Sequence, residues 1–215
     1  VCLSLTSGQI EKLQLPQMIR EEFNLSPNKT AFTVGGTAWY RKHFTLDKST
    51  LNKNVYIQFD GVYMNSDVWI NGYHLGNHPN GYTSFIYDLT AHLNPVGKDN
   101  VIAVQVKNEG DNSRWYTGSG VYRHVWLHVV SATHIENWGV QIMSSKVSEQ
   151  SAEIHIATKL TNPTSIVSLT TELYASDNKL IASNTKQVAA NKVEQTIILE
   201  NPKLWGIENP YLYKA

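Results

Sequence analysis

Between residues 38 and 199 the chain keeps returning to one pattern: short runs in which β-branched or aromatic residues alternate with polar ones, punctuated by Gly, Pro, Asn and Asp. Helical periodicity is confined to a weak stretch at 10–23, which Pro16 interrupts. The expected class is therefore all-β. Residues 38–46 and 54–60 read as strands joined by the polar turn at 47–50. Asn71-Gly72 supplies the two positive φ angles of a type I′ turn, so 66–75 is expected to form a tight hairpin. A loop at 77–81, a strand at 82–88 and a polar connection at 91–100 follow, and 101–107 alternates as a half-buried strand does. The sheet resumes at 121–130. Further strands are expected at 152–160, 167–174, 180–188 and 193–199, with turns at Asn162-Pro163 and Asp177-Asn178.

At 215 residues the chain accommodates two sandwiches of about 100 residues each, or one large one. Aromatics thin out after residue 135 and Thr, Ser and Asn rise, which puts the expected boundary near 131–137. Lys plus Arg equals Asp plus Glu at 18 each, and no basic cluster is present, so neither nucleic acid nor anionic lipid is the favoured partner. The apolar runs are too short to span a bilayer. A neutral ligand fits better. Sugars stack their C–H faces on aromatic rings, and the chain has 6 Trp, 11 Tyr and 5 Phe, although such rings also fill sandwich cores. Cys2 is the sole cysteine, which excludes an intrachain disulfide.

Hydrolysis of a glycosidic bond needs two carboxyls held across the sugar. The first domain offers Asp60, Asp67, Asp88, Glu109 and Asp111, but their positions at strand ends and turns favour capping roles over a catalytic dyad. No metal site is expected, because the histidines are scattered; His124 and His128 alone share a strand face. Gly118-Ser119-Gly120 lacks the full nucleophile elbow. Arg41 and Arg123 fit structural ion pairs. The long segment 109–120 mixes breakers with Arg114, Trp115 and Tyr116, whose guanidinium and ring faces suit sugar hydroxyls and stacking. A fold-back of these rings onto the sandwich is equally compatible with the pattern.

Taken in order, Gly35-Gly-Thr-Ala-Trp-Tyr-Arg-Lys-His-Phe, Phe59-Asp-Gly-Val, Val68-Trp-Ile-Asn-Gly, Leu75-Gly, Gly81-Tyr-Thr-Ser-Phe, Asp88-Leu and Ser113-Arg-Trp-Tyr-Thr-Gly-Ser-Gly-Val-Tyr-Arg resemble the N-terminal sugar-binding domain of glycoside hydrolase family 2, with the β-galactosidase-like branch the best match. Asn201-Pro-Lys-Leu-Trp-Gly-Ile-Glu-Asn-Pro-Tyr-Leu-Tyr is similar to the end of that family's immunoglobulin-like second domain. The likeness covers 33–215 and is loose over 1–28. It implies an N-terminal extension at 1–32, a jelly-roll (galactose-binding-like) sandwich at 33–134 and an immunoglobulin-like sandwich at 135–215. The family's (β/α)₈ barrel, which carries both catalytic glutamates of a retaining mechanism, has no counterpart here, so no catalytic residue carries over. First-domain loops of the family reach toward the active site, which makes Arg114, Trp115 and Tyr116 the candidate substrate-binding residues. Arg114 stands where some relatives place a carboxylate or asparagine.

The resemblance thus predicts the non-catalytic N-terminal part of a retaining β-glycosidase, of β-galactosidase type, with β-glucuronidase and β-mannosidase as alternatives within the family. Its partners would be a carbohydrate substrate, the barrel and, in a homo-oligomer, other copies of itself. No cofactor is expected, and a periplasmic or secreted location is favoured over a cytoplasmic one. Two other readings remain: a free-standing carbohydrate-binding protein, and a structural spacer with no affinity for sugar. The final 210–215 ends without a closing strand, so the chain is expected to continue.

Overall fold

Alternation of this kind closes into antiparallel sheets because each strand can then bury one face. The computed structural model describes residues 2–3, 36–109, 118–163 and 165–215, and the chain divides into two compact units, Val1–Ser131 and Ala132–Ala215. Among the described residues the first unit holds ten strands: β1 (Cys2–Leu3), β2 (Gly36–Thr45), β3 (Asn54–Phe59), β4 (Val62–Tyr63), β5 (Ser66–Ile70), β6 (Tyr73–His78), β7 (Phe85–Asp88), β8 (Asp99–Asn108), β9 (Gly120–Val121) and β10 (Val125–Val130). The second holds β11 (His134–Ser145), β12 (Ser151–Thr161), β13 (Val167–Tyr174), β14 (Leu180–Val188) and β15 (Lys192–Glu200). The first unit is a jelly-roll sandwich and the second an immunoglobulin-like one.

Two four-stranded sheets, ordered β1-β10-β3-β7 and β2-β8-β5-β6, make the jelly roll, with the short pair β4-β9 beside them. Every pairing is antiparallel. Period-two alternation sends Val55, Ile57 and Phe59 of β3, Val125 and Leu127 of β10, Val68 and Ile70 of β5, and Ile102, Val104 and Val106 of β8 into one core cluster. Burying each such side chain contributes about 1.5–3 kcal/mol. The polar turn at 47–50 forms a 3-10 helix over Lys48–Thr50, capped by the Asp47 carboxylate, which accepts from the Ser49 N–H at 2.8 Å.

Asn71 does more than turn the β5–β6 hairpin. It and Gly72 take φ of 49° and 85°, as a type I′ turn requires. Its side chain also accepts from the Val101 N–H at 2.9 Å and donates to the His92 carbonyl at 2.8 Å and to Asn100 Oδ1 at 2.9 Å. Asn100 Oδ1 in turn accepts from the Asn94 N–H at 2.8 Å. Asn100 is fully buried at the start of β8, and this network satisfies it.

The expected strand at 121–130 divides into β9 and β10. Across 122–124 the regular ladder is interrupted, with the Asp60 N–H bonding the His124 carbonyl at 3.0 Å, while the Tyr122 hydroxyl reaches the Gly81 carbonyl at 2.9 Å and Arg123 the Asp60 carbonyl at 3.4 Å. Twelve-residue β11 has no counterpart among the expected strands. Its register against β12 jumps between Ile135 and Val140, and Trp138 sits at φ 54°, an irregularity that erases the alternation a strand shows in sequence.

In the second unit, β11-β12-β15 faces the pair β13-β14. Gln195 of β15, buried, accepts from the Thr171 hydroxyl at 2.7 Å and donates to the Asn184 carbonyl at 2.8 Å, tying the two sheets together. The inner face is unevenly covered. Val140 and Ile142 pair with Thr158 and Ile156, both 3% exposed, yet they are themselves 46% and 49% exposed. Among the described residues, the β13 edge away from β14 is engaged at Tyr174 alone, by Lys214, with bonds of 2.7 and 3.0 Å.

Two outcomes are expected. Asn71→Ala should destabilise the first unit by about 2–3 kcal/mol, since it leaves buried donors and acceptors unpaired, and Asn71→Gly by about 1 kcal/mol less, because glycine adopts the same φ without strain. Denaturant unfolding followed on the first unit's tryptophans checks both. The open β13 edge and half-covered β11 face should drive concentration-dependent self-association that Ile142→Thr weakens. Sedimentation showing a monodisperse monomer at high concentration would contradict this.

Candidate functional site

Arg114, Trp115 and Tyr116 lie outside the described residues, as does Asp111. The structure describes instead the two feet from which segment 110–117 springs. On one foot, the Thr37 hydroxyl donates to the Glu109 carboxylate at 2.5 Å and the Asn108 side-chain amide donates to Ser119 Oγ at 2.7 Å. The Lys107 N–H bonds the Met64 carbonyl at 3.0 Å. On the other, Gly120 pairs with Tyr63 at φ +120°, and a Cβ there would collide with the Tyr40 hydroxyl. Only glycine fits both demands. Ser119 is thus a brace within the stem, its hydroxyl oxygen engaged by the Asn108 amide.

The same end of the jelly roll carries a tyrosine cluster built on close backbone approach. Tyr63, buried, meets the Tyr82 ring edge-on at 5.4 Å between centroids. A Cβ at Gly81 would run into the Tyr63 ring, and one at Gly61 would lie 2.7 Å from Tyr122. Loop 79–84 is fixed by Asn80, whose Oδ1 accepts from the N–H groups of Tyr82 at 2.8 Å and Thr83 at 3.1 Å. It is held further by the Tyr122 hydroxyl on the Gly81 carbonyl. The result presents Tyr82, 65% exposed, on a rigid support. His78 stacks on Phe85 at 4.1 Å, and burial pushes its imidazole below the ordinary histidine value.

Each described carboxylate flagged by the sequence has structural partners. Burial alone would raise Asp60, but hydrogen bonds from Gln58 Nε2 at 2.7 Å and Trp126 Nε1 at 2.8 Å, with His124 and Arg123 nearby, hold it below the ordinary carboxylate value. Asp67 behaves alike: its burial is outweighed by Lys107 and His74, each at 2.9 Å. Asp88 accepts from the Thr90 N–H at 2.8 Å, and Glu109 takes the Thr37 bond. Of the histidines, His128 meets Gln58 Oε1 at 3.2 Å and His124 packs near Trp126 at 5.4 Å. Among the described residues no group of three or more His, Cys, Asp or Glu converges as a metal ion would require. Rings, hydroxyls and fixed amides in this arrangement can orient a polyol.

The model of the glycosyl hydrolases family 2 sugar-binding domain matches residues 16–131, and the model of glycosyl hydrolases family 2 matches 133–215. The chain belongs to glycoside hydrolase family 2. It is 43% identical over 188 residues to β-galactosidase BoGH2A of Bacteroides ovatus, covering 83% of this chain and 22% of that protein. With a β-glucuronidase of Formosa agariphila it shares 36% over 209 residues, covering 84% and 21%. A β-glycosidase structure from Bacteroides vulgatus superposes with a TM-score of 0.80 at 38% identity, covering 86% of this chain and 24% of that one. The chain therefore spans about a fifth of the length of these curated family 2 relatives, and the match falls in their N-terminal portion. No helix among the described residues is long and apolar enough to cross a membrane.

The tyrosine cluster was missed as a site in sequence. Its signal was present in Asp60-Gly61 and Gly81-Tyr82, glycines beside aromatic residues at strand ends, but only the fold shows which ring each glycine admits. Because Asp60 and Asp67 sit below their unfolded pKa, the stability they supply is complete above about pH 4 and is lost as pH falls through their depressed values. Urea midpoints of the first unit should hold between pH 7 and 5 and drop toward pH 3, with a shallower drop in Asp60→Asn. An identical acid loss in that variant would remove Asp60 from the account.

Proposed function

We propose that this chain is the non-catalytic N-terminal portion of a retaining β-glycosidase of β-galactosidase type. In this reading 33–134 is the jelly-roll sugar-binding domain, 135–215 the immunoglobulin-like domain, and a (β/α)₈ barrel elsewhere in the protein supplies both catalytic glutamates. The observation that carries it is the 43% identity to a β-galactosidase of which the chain covers 22%, with both family models in their family order. Arg114, Trp115 and Tyr116 shape the substrate pocket. The braced stem supports this role, since the residues on either side of the segment are held by Thr37–Glu109 and Asn108–Ser119.

A β-glucuronidase is the second reading, favoured by the 36%-identical relative of that name. Under it, Arg114 would pair with the substrate carboxylate. The full-length protein distinguishes the two through its kcat/KM on p-nitrophenyl β-D-galactopyranoside and on the corresponding glucuronide. Trp115→Ala should lower kcat/KM on the preferred substrate about tenfold, the equivalent of one lost ring stack. Wild-type kinetics in that variant, or hydrolysis by residues 1–215 alone, would overturn the proposal.

A further inference from the structure

The outer face of sheet β2-β8-β5-β6 carries a strip of three rings that the site above does not use. Register places Trp39 of β2 level with Gln105 of β8 and Asp67 of β5, and the next row holds Arg41, Ala103, Trp69 and His74. Trp39 and Trp69 are therefore diagonal neighbours across Ala103, whose small side chain lets the two rings meet above it. Their centroids are 5.2 Å apart with planes inclined at 31°, and His74 continues the strip 5.0 Å beyond Trp69. A bulge in β6 makes this possible. The register shift after Val68 keeps both His74 and Asn77 on the outer face, although they are three positions apart. Trp39 is 40% exposed, with the Arg41 guanidinium 5.8 Å from its centroid.

Polar groups beside the rings are held in place. Asp67, its side chain 13% exposed, receives His74 Nε2 on one oxygen and Lys107 Nζ on the other, both at 2.9 Å. An ammonium has three donors, and only one is directed at Asp67. The carboxylate is thus electrically compensated, and the strip presents no net negative charge. The residues of these two rows are rings, amides and charged groups, with Ala103 the one aliphatic among them. A protein-docking core shares the aromatic rings but is depleted in groups such as Asp67 and Lys107. Flat C–H surfaces ringed by hydroxyls match it instead: rings for the faces, fixed donors and acceptors for the edges.

We propose that Trp39, Trp69 and His74, edged by Gln105, Asp67 and Lys107, form a binding strip for a neutral, equatorially linked β-glycan, which extends as a flat ribbon and can lie along consecutive rings. The strip is independent of which glycoside the parent protein cleaves, and its test reads binding alone, so failure of either proposal leaves the other standing. The chain is labelled with ¹⁵N and titrated with cellotetraose and β-1,4-galactotetraose up to about 10 mM, a range suited to millimolar affinity. Six indole N–H signals are available, one per tryptophan. Saturable shifts of the Trp39 and Trp69 signals in the wild-type protein are expected, with binding weakened at least tenfold in Trp69→Ala and unchanged in Trp205→Ala. Should neither probe shift these two signals, should shifts be confined to other tryptophans, or should the signals follow protein concentration in the absence of sugar, the strip is not a glycan site.

Discussion

Strand β8 is hydrogen-bonded along both edges, to β2 over its whole length and to β5 from Ile102 to Val106, and nearly everything described in the first unit hangs on it. Its inward residues supply Ile102, Val104 and Val106 to the core. Its outward residues supply Ala103, Gln105 and Lys107 to the ring strip. Buried asparagines end it on both sides, Asn100 joined to the hairpin turn and Asn108 to the stem of segment 110–117. A strand paired on both sides and buried on one face has no freedom to slip, because a shift of one residue would exchange the two faces.

That double constraint explains what could be read in advance. Val101–Lys107 alternates because it must serve a wet face and a dry one, so the strand was visible from residue type alone. The β5–β6 hairpin was visible for a different reason, the backbone demand of Asn71-Gly72. By contrast, β11 carries a bulged register and an inner face left half exposed, so selection for alternation is weak there and its strand went unseen. The division of 121–130 was hidden because it accompanies tertiary contacts: the Tyr122 side chain is anchored on a carbonyl 41 positions away.

Functional geometry was less legible than fold. Arg114, Trp115 and Tyr116 were singled out by their chemistry and by the resemblance to family 2, and the described residues add what sequence could not, a stem fixed by Thr37, Asn108 and Gly120. The ring strip was hidden more thoroughly. Trp39, Trp69 and His74 come from three strands, and only cross-strand register and a one-residue bulge bring them side by side. Single-strand patterns contain neither quantity.

The pairing of β10 with β3, in which His128 meets Tyr56 and Gln58 from some 70 positions away, also sets a schedule. The first sandwich cannot close until residue 130 has been synthesised, and Cys2 waits for Trp126 as its ladder partner. Such long-range pairings make folding slow and leave half-formed sheets with open edges in the meantime. During translation, β2, β5 and β8 can assemble some twenty residues before their facing sheet exists, so the nascent chain passes through a stage with one apolar face uncovered. That interval, set by chain order alone, is when this unit is most exposed to chaperone capture and to pairing with a neighbouring nascent copy.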